Sequence, residues 1–350
     1  MNLLWQAHLR NRDAIIQDGR VVSFGNAAAE LANTRSTTVV SDLSHFGLIH
    51  FQGEDAESFL QGQLSCDVRQ ASSSAAVYGS YCNPKGRMLA SFLIWRLREM
   101  DGDGYVMQLP SALRASIQKR LSMYVLRAKV KLDDSSDRLV RLGIAGSGAG
   151  SLVQEVLGET PPAVLRVIHG KLGSIIRLAQ DRFEIVIPLE DAPEVWEGLG
   201  RSAVRVGASC WDWLEIRAGI PVIMPATQEQ FVPQMANLDA IGGISFQKGC
   251  YPGQEIVART QYLGKIKRRM YLANVQPTQE TLIEAGDELF SADMGEQSSG
   301  MVVNAAVSPD GGIDLLAVVQ TSSVEAGQVH WKSLDGPPLK IMPLPYSTNQ

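Results

Sequence analysis

Phe46, Leu48 and Ile49 form a short apolar run that stops at Gly53-Glu54-Asp55, after which Ala56, Phe59 and Leu60 recur at helical spacing. The change of period predicts strand, turn and helix, with Glu54 and Asp55 where a helix N-terminus favours negative charge. Residues 77–81 and 88–96 read as strands around the turn Asn83-Pro84-Lys85-Gly86, and 100–104 as a hairpin turn before a strand at 105–109. From Pro110-Ser111 onward, Leu113, Ile117, Leu121 and Tyr124 mark the apolar face of a helix, with Arg114, Gln118 and Arg120 opposite. Residues 130–132 read as a strand. The first 40 residues read as a polar arm with a weak helix near 26–33, and the Gly/Ser/Ala-rich segment 143–151 as a hinge. Residues 152–200 give helix, strands and helix, and 211–217 a helix that stops at Gly219-Ile220-Pro221. From Met270 to Pro343 short alternating runs lie between Gly, Asp, Ser and Pro turns, the pattern of a small all-β barrel or sandwich. Interleaved strands and helices of this kind predict an α+β protein.

Composition changes this picture little. The chain has 350 residues, 45% hydrophobic and 20% charged, which suggests two or three domains with cores of their own. A net charge of −5 gives no electrostatic case for direct nucleic-acid binding. No apolar run reaches the length of a membrane span, and Met1–His8 lacks the basic start and apolar core of a signal peptide. Cys66, Cys82, Cys210 and Cys250 are widely spaced without a CxxC, and the five histidines show no metal-ligand spacing. The expectation is a cytoplasmic protein without a stable metal site.

The chemistry concentrates around Cys250, in Gln247-Lys248-Gly249-Cys250-Tyr251-Pro252-Gly253-Gln254-Glu255. Two glycines and a proline predict a tight loop, and the cation of Lys248 can favour the thiolate of Cys250. No His-Asp or His-Asn relay accompanies the thiol, so redox, one-carbon or cluster chemistry suits it better than proteolysis. Gln254 and Glu255 read equally as an exposed strand start or as hydrogen-bonding partners of a ligand. Trp211 and Trp213 offer either core packing or flat faces for a heteroaromatic ring. Lys85, Arg87 and the cluster Lys265, Lys267, Arg268, Arg269 read as solvated turns and edges, or as contacts for an anionic ligand.

These segments resemble the YgfZ family, folate-binding relatives of the glycine-cleavage T protein. The resemblance runs through Phe59-Leu60-Gln61-Gly62-Gln63-Leu64, Asn83-Pro84-Lys85-Gly86, Arg127-Ala128-Lys129-Val130, Ala218-Gly219-Ile220-Pro221, Phe231-Val232-Pro233-Gln234, Gly242-Gly243-Ile244-Ser245-Phe246, the stretch from Lys248 to Glu255, and Pro343-Leu344-Pro345-Tyr346-Ser347. It implies a three-domain, ring-like T-protein fold. Residues 1–142 with about 205–262 would form the folate-binding core, 143–204 a second α+β domain, and 263–350 a C-terminal β-barrel. It implies a cofactor, tetrahydrofolate or a one-carbon derivative, and a role in assembling or repairing iron–sulfur clusters in clients such as tRNA-modifying radical enzymes. By resemblance the pterin-side aromatics fall at Phe46 and Trp211 and the signature thiol at Cys250, with Tyr251, Gln254 and Glu255 shaping its loop. The T-protein glutamate that meets the pterin aligns with Arg217, so Glu215 or another acceptor would take its place. The T-protein Asp-Asp pair aligns with Ala90 and Ser91, neither of which is a carboxylic acid. A folate-dependent aminomethyltransferase and a non-catalytic folate sensor or scaffold stand as the alternatives.

Overall fold

The computed structural model describes residues 1–348 apart from 100–101, 263, 265 and 277–281. The hairpin turn expected at 100–104 and the cation Lys265 therefore fall partly or wholly outside the described residues. The chain divides into two compact units, the first formed by residues 1–60, 68–77 and 93–211, the second by 61–67, 78–92 and 212–350.

The first unit contains a six-stranded sheet in the order Val167–Gly170, Gly173–Ala179, Arg182–Pro188, Leu139–Ala145, Val39–Asp42, Val204–Val206. Its pairings are antiparallel except the last, Val39–Asp42 with Val204–Val206, which is parallel. Val140, Leu142, Ile144, Phe183, Ile185 and Ile187 alternate onto one face of this sheet and join a core with Leu152 and Val153 of the helix Ala149–Leu157 and Val195, Trp196 and Leu199 of the helix Ala192–Leu199. Also in this unit, the strand Phe46–Gln52 pairs antiparallel with Gly102–Pro110 and Lys131–Asp134.

Three expectations change here. The N-terminal segment is not a polar arm. It forms the helix Leu3–Arg10, a hairpin of Ile15–Gln17 with Arg20–Ser23, and the helix Ala27–Ser36. Trp5 and Leu9, one helical turn apart, insert into the core, and the Trp5 indole donates to Asp42 Oδ1 at 2.7 Å. The segment 143–151 is not a hinge: it completes the strand Leu139–Ala145 and opens the helix Ala149–Leu157. Tyr124 lies beyond the end of the helix Ser111–Ser122 and is exposed, whereas Leu113, Ile117 and Leu121 are buried as their spacing required.

In the second unit a six-stranded antiparallel sheet runs in the order His330–Trp331, Glu288–Phe290, Ser298–Val307, Ile313–Gln320, Arg268–Val275, Leu339–Met342. Ala273, Val275, Val302, Leu315, Ala317 and Val319 share one of its cores. Arg269, expected among solvated cations, is buried: its guanidinium forms a two-pronged pair with Asp239 at 2.7 and 2.9 Å and also donates to the Gln234 carbonyl.

Candidate functional site

The second face of the six-stranded sheet of the first unit is polar and yet buried. Cross-strand partners point to the same side, so the register Ile176–Glu184–Gly143–Ser41 and the flanking positions Arg141 and Arg182 define one face. Ser41, Arg141, Arg182 and Glu184 are all buried. Trp211 lies over this face, with an exposure of 1%. Gly143 makes that possible, because a Cβ there would stand 2.4–2.7 Å from three atoms of the indole ring. The Arg182 guanidinium sits 5.5 Å from the centre of the Trp211 ring, a cation–π contact.

Glu184 is tied to the second group of strands. Gln108 Nε2 donates to Glu184 Oε2 at 2.9 Å, and both residues are buried. Gln108 is the direct partner of Leu48 in the pair of strands Phe46–Gln52 and Gly102–Pro110, so Phe46, two residues before Leu48, projects to the same side as Gln108. The Phe46 ring is 4.5 Å from that of His45. Gln108 Oε1 and the Nε and Nη1 of Arg141 make no hydrogen bond among the described residues. Burial pulls the Arg141 guanidinium down from its ordinary value, opposed first by Asp42 and then by Glu184. Asp42 is itself engaged by the Trp5 indole and by the backbone and hydroxyl of Ser44. The face therefore gathers a carboxylate and guanidinium groups beneath the Trp211 indole, with the Gln108 amide bonded to the carboxylate.

Cys250 belongs to the second unit and is exposed, whereas Cys66, Cys82 and Cys210 are buried. The loop is tight, as its composition required. Gly253 has φ +82°, and a Cβ on it would meet Asn83 O at 2.5 Å and Gly86 N and Cα at 2.6 Å. The turn Asn83-Pro84-Lys85-Gly86 thus packs backbone to backbone on the Cys250 loop, with Asn83 Oδ1 accepting from the amides of Lys85 and Arg87. Gln254 and Glu255 open the α-helix Gln254–Tyr262, not a strand, and Glu255 lies in its first turn, where negative charge is favoured.

Lys248 is buried, and its ammonium donates to the carbonyls of Leu64 at 2.6 Å and Cys66 at 2.7 Å, with the Tyr251 ring centre 5.3 Å away. Its charge also acts on the Cys66 thiol, where burial nevertheless prevails and pushes the pKa up to about 12. Burial likewise raises Cys82 to about 12 and raises the Tyr251 phenol. These differences give a direct expectation. Native protein treated with iodoacetamide at pH 8 is alkylated at Cys250 alone, and peptide mass mapping reads Cys66, Cys82 and Cys210 as unmodified until denaturant is added.

Glu215 and Arg217 also lie in the second unit, on the helix Ala208–Arg217. Glu215 is buried. The Arg217 guanidinium reaches Met342 Sδ at 3.6 Å and lies 3.8 Å from Asp314, which also accepts from the Trp213 indole at 2.9 Å. Trp213 is therefore a packing residue, whereas Trp211 lies over the polar face. At the positions of the T-protein Asp-Asp pair, Ala90 is buried, and the Ser91 hydroxyl donates to Pro221 O at 2.8 Å and accepts from Ile223 N at 3.0 Å. Both capacities of that hydroxyl are taken by backbone.

The GCVT N-terminal domain family matches residues 15–245. A protein of Enterobacter sp. (strain 638) named tRNA-modifying protein YgfZ is 34% identical over 325 residues, covering 91% of this chain and 97% of its own. Its namesake from Colwellia psychrerythraea is 33% identical over 309 residues, covering 83% and 92%. This chain belongs to the YgfZ family. Among solved structures, the glycine cleavage system aminomethyltransferase T from Bartonella henselae superposes with a TM-score of 0.76 over 98% of this chain and 96% of its own, at 19% identity. That likeness shows the fold that this YgfZ relative shares, with mixed α/β content and a C-terminal β-sheet.

Glu184, Gln108, Arg141 and Arg182 are absent from the residues that the sequence singled out. The signal was present: Arg182 and Glu184 alternate with Phe183, Ile185 and Ile187. Such alternation ordinarily means a solvated face. Only the tertiary structure shows that this face is covered.

Proposed function

We propose that this chain binds a reduced folate, tetrahydrofolate or a one-carbon derivative, and through Cys250 supports the assembly or repair of iron–sulfur clusters in tRNA-modifying radical enzymes. The observation that carries the folate part is the buried carboxylate of Glu184 on a face that also holds Trp211. A pterin presents its 2-amino group and ring N3–H side by side as donors, and a carboxylate offers two acceptor oxygens in matching order. The indole of Trp211 and the ring of Phe46 supply flat apolar surfaces, and Gln108 Oε1 and the Nε and Nη1 of Arg141 are buried without hydrogen-bond partners among the described residues. These residues fit the group. In this reading Glu184, and not Glu215 or Arg217, is the acceptor that meets the pterin. Bound folate supplies one-carbon carrier chemistry; the chain's own residues bind, orient and desolvate its ring.

The iron–sulfur part draws on the resemblance to the family, whose relatives are named tRNA-modifying proteins, and on the exposed thiol. A lone cysteine cannot hold a stable cluster, so Cys250 serves as a transient ligand or redox thiol toward an apoprotein client. Lys248 anchors the loop through its two carbonyl partners, and Tyr251, Gln254 and Glu255 fix the loop's shape where it enters the helix. Free thiols suit the reducing cytoplasm, and no described helix is long and apolar enough to cross a membrane. With no carboxylate at 90–91, aminomethyl transfer of the T-protein kind has no obvious acid or base there.

Two measurements test the reading. Tetrahydrofolate, titrated against tryptophan fluorescence, binds Glu184→Gln at least about tenfold more weakly than wild type, the loss expected when a charged acceptor is removed. Unchanged affinity would exclude Glu184 as the pterin partner. In cells lacking their own copy, Cys250→Ala fails to restore iron–sulfur enzyme activity while its folate affinity stays that of wild type. Full rescue would leave the protein as a folate sensor or scaffold.

A further inference from the structure

Arg141 has a fully buried guanidinium, 2% exposed, whose Nε and Nη1 donors find no acceptor among the described residues. Buried donors of a cation are seldom left open, because each forgoes hydration without return. Charge balance does not explain them. Asp42 and Glu184 already compensate the charge, and Asp42 is engaged by Trp5 and Ser44. Position does suggest a use. Arg141 stands two residues from Gly143 on the strand Leu139–Ala145, so it shares the face on which Trp211 lies and Glu184 projects.

We propose that Arg141 is a specificity-determining residue of this face, donating from Nη1 to the oxo group of a 2-amino-4-oxo heterocycle whose donor edge is held by Glu184. This rests on the folate reading and goes further, because it selects among pteridines. On the pyrimidine edge of a pterin the acceptor next to N3–H is the 4-oxo oxygen. A guanidinium N–H beside the carboxylate completes a donor and acceptor pattern that a 4-amino ring reverses. Against a 4-amino ring, the guanidinium would face N–H donors and remain unpaired, which is the arrangement that gives strong rejection.

Folic acid and its 4-amino counterpart aminopterin differ only at that position. Their binding, with tetrahydrofolate as reference, is measured by fluorescence on wild type, Arg141→Met, Arg141→Lys and Glu184→Gln. Wild type is expected to prefer folic acid over aminopterin by at least about tenfold, as loss of a charged hydrogen bond implies. In Arg141→Met that preference shrinks by about fivefold or more, the remainder coming from Glu184, which meets N3–H in folic acid and an unprotonated N3 in the 4-amino ring, and folic acid affinity is down by about tenfold or more. Arg141→Lys keeps the buried cation and is the folding control; its shorter side chain lacks the planar N–H at the Nη1 position, so it still loses most of the preference. A wild type that binds both pteridines equally, or a folded Arg141→Lys with undiminished preference, would overturn the assignment and leave Arg141 as charge balance alone. A wild type that binds none of the three ligands would overturn the folate reading and this inference together.

Discussion

Gly143→Val is expected to lower the stability of the protein and, on the proposed folate reading, its affinity for tetrahydrofolate. The strand position is regular, so the substitution places side-chain atoms where the Trp211 ring now lies; the first of them alone would be 2.4 Å from an indole carbon. The indole is 1% exposed, with Arg182 over its ring. Either it leaves the face or the strand shifts, and overpacking of this kind costs about 1–3 kcal/mol. Thermal unfolding followed by circular dichroism is expected to fall by about 5 °C, within the range such a loss produces in domains of this size. Folate affinity drops by at least about tenfold, because an aromatic contact and its alignment with Glu184 go together. Gly143→Ala gives a smaller effect of the same sign. A Gly143→Val protein with wild-type melting and folate binding would mean that Trp211 does not lie on this face.

Gly253→Ala has the second large effect, expressed at Cys250. The residue has φ +82°, which disfavours an L side chain by about 1–2 kcal/mol before any contact is counted. The added Cβ also meets backbone atoms of Asn83 and Gly86 at 2.5–2.6 Å, where no rotamer change can give relief. The expected loss is about 3 kcal/mol, and it separates the Asn83-Pro84-Lys85-Gly86 turn from the Cys250 loop. Stability by denaturant titration and the rate of Cys250 alkylation report the two consequences separately. A variant with normal stability and normal thiol reactivity would show that this backbone contact is dispensable.

Much of this was legible in the chain. The strand, turn and helix from Phe46 to Leu60 and the buried stripe Leu113, Ile117, Leu121 follow from local period, which backbone geometry imposes on neighbouring residues. The tight Cys250 loop follows from glycine and proline chemistry, and the C-terminal strands from alternating runs between turn residues. The errors are equally physical. Trp5 and Leu9 looked isolated in a polar segment because only two side chains of that helix enter the core. Gly143 and Gly146 looked like a hinge because close approach and flexibility require the same residue type. The sequence shows Lys248 only as a neighbour of Cys250, two residues away, and its hydrogen bonds to Leu64 and Cys66, some 180 positions upstream, belong to the tertiary structure.

Periods, turns, the loop of the thiol and the family are readable from the chain, since each depends on residues close together in it or on a motif read in order. The tertiary structure alone decided which alternating face is covered. Arg141, Gly143, Arg182 and Glu184 have the pattern of a solvated strand surface until Trp211 and Gln108 are laid over them. Burial is a property of what packs against a face, and no local spacing encodes it.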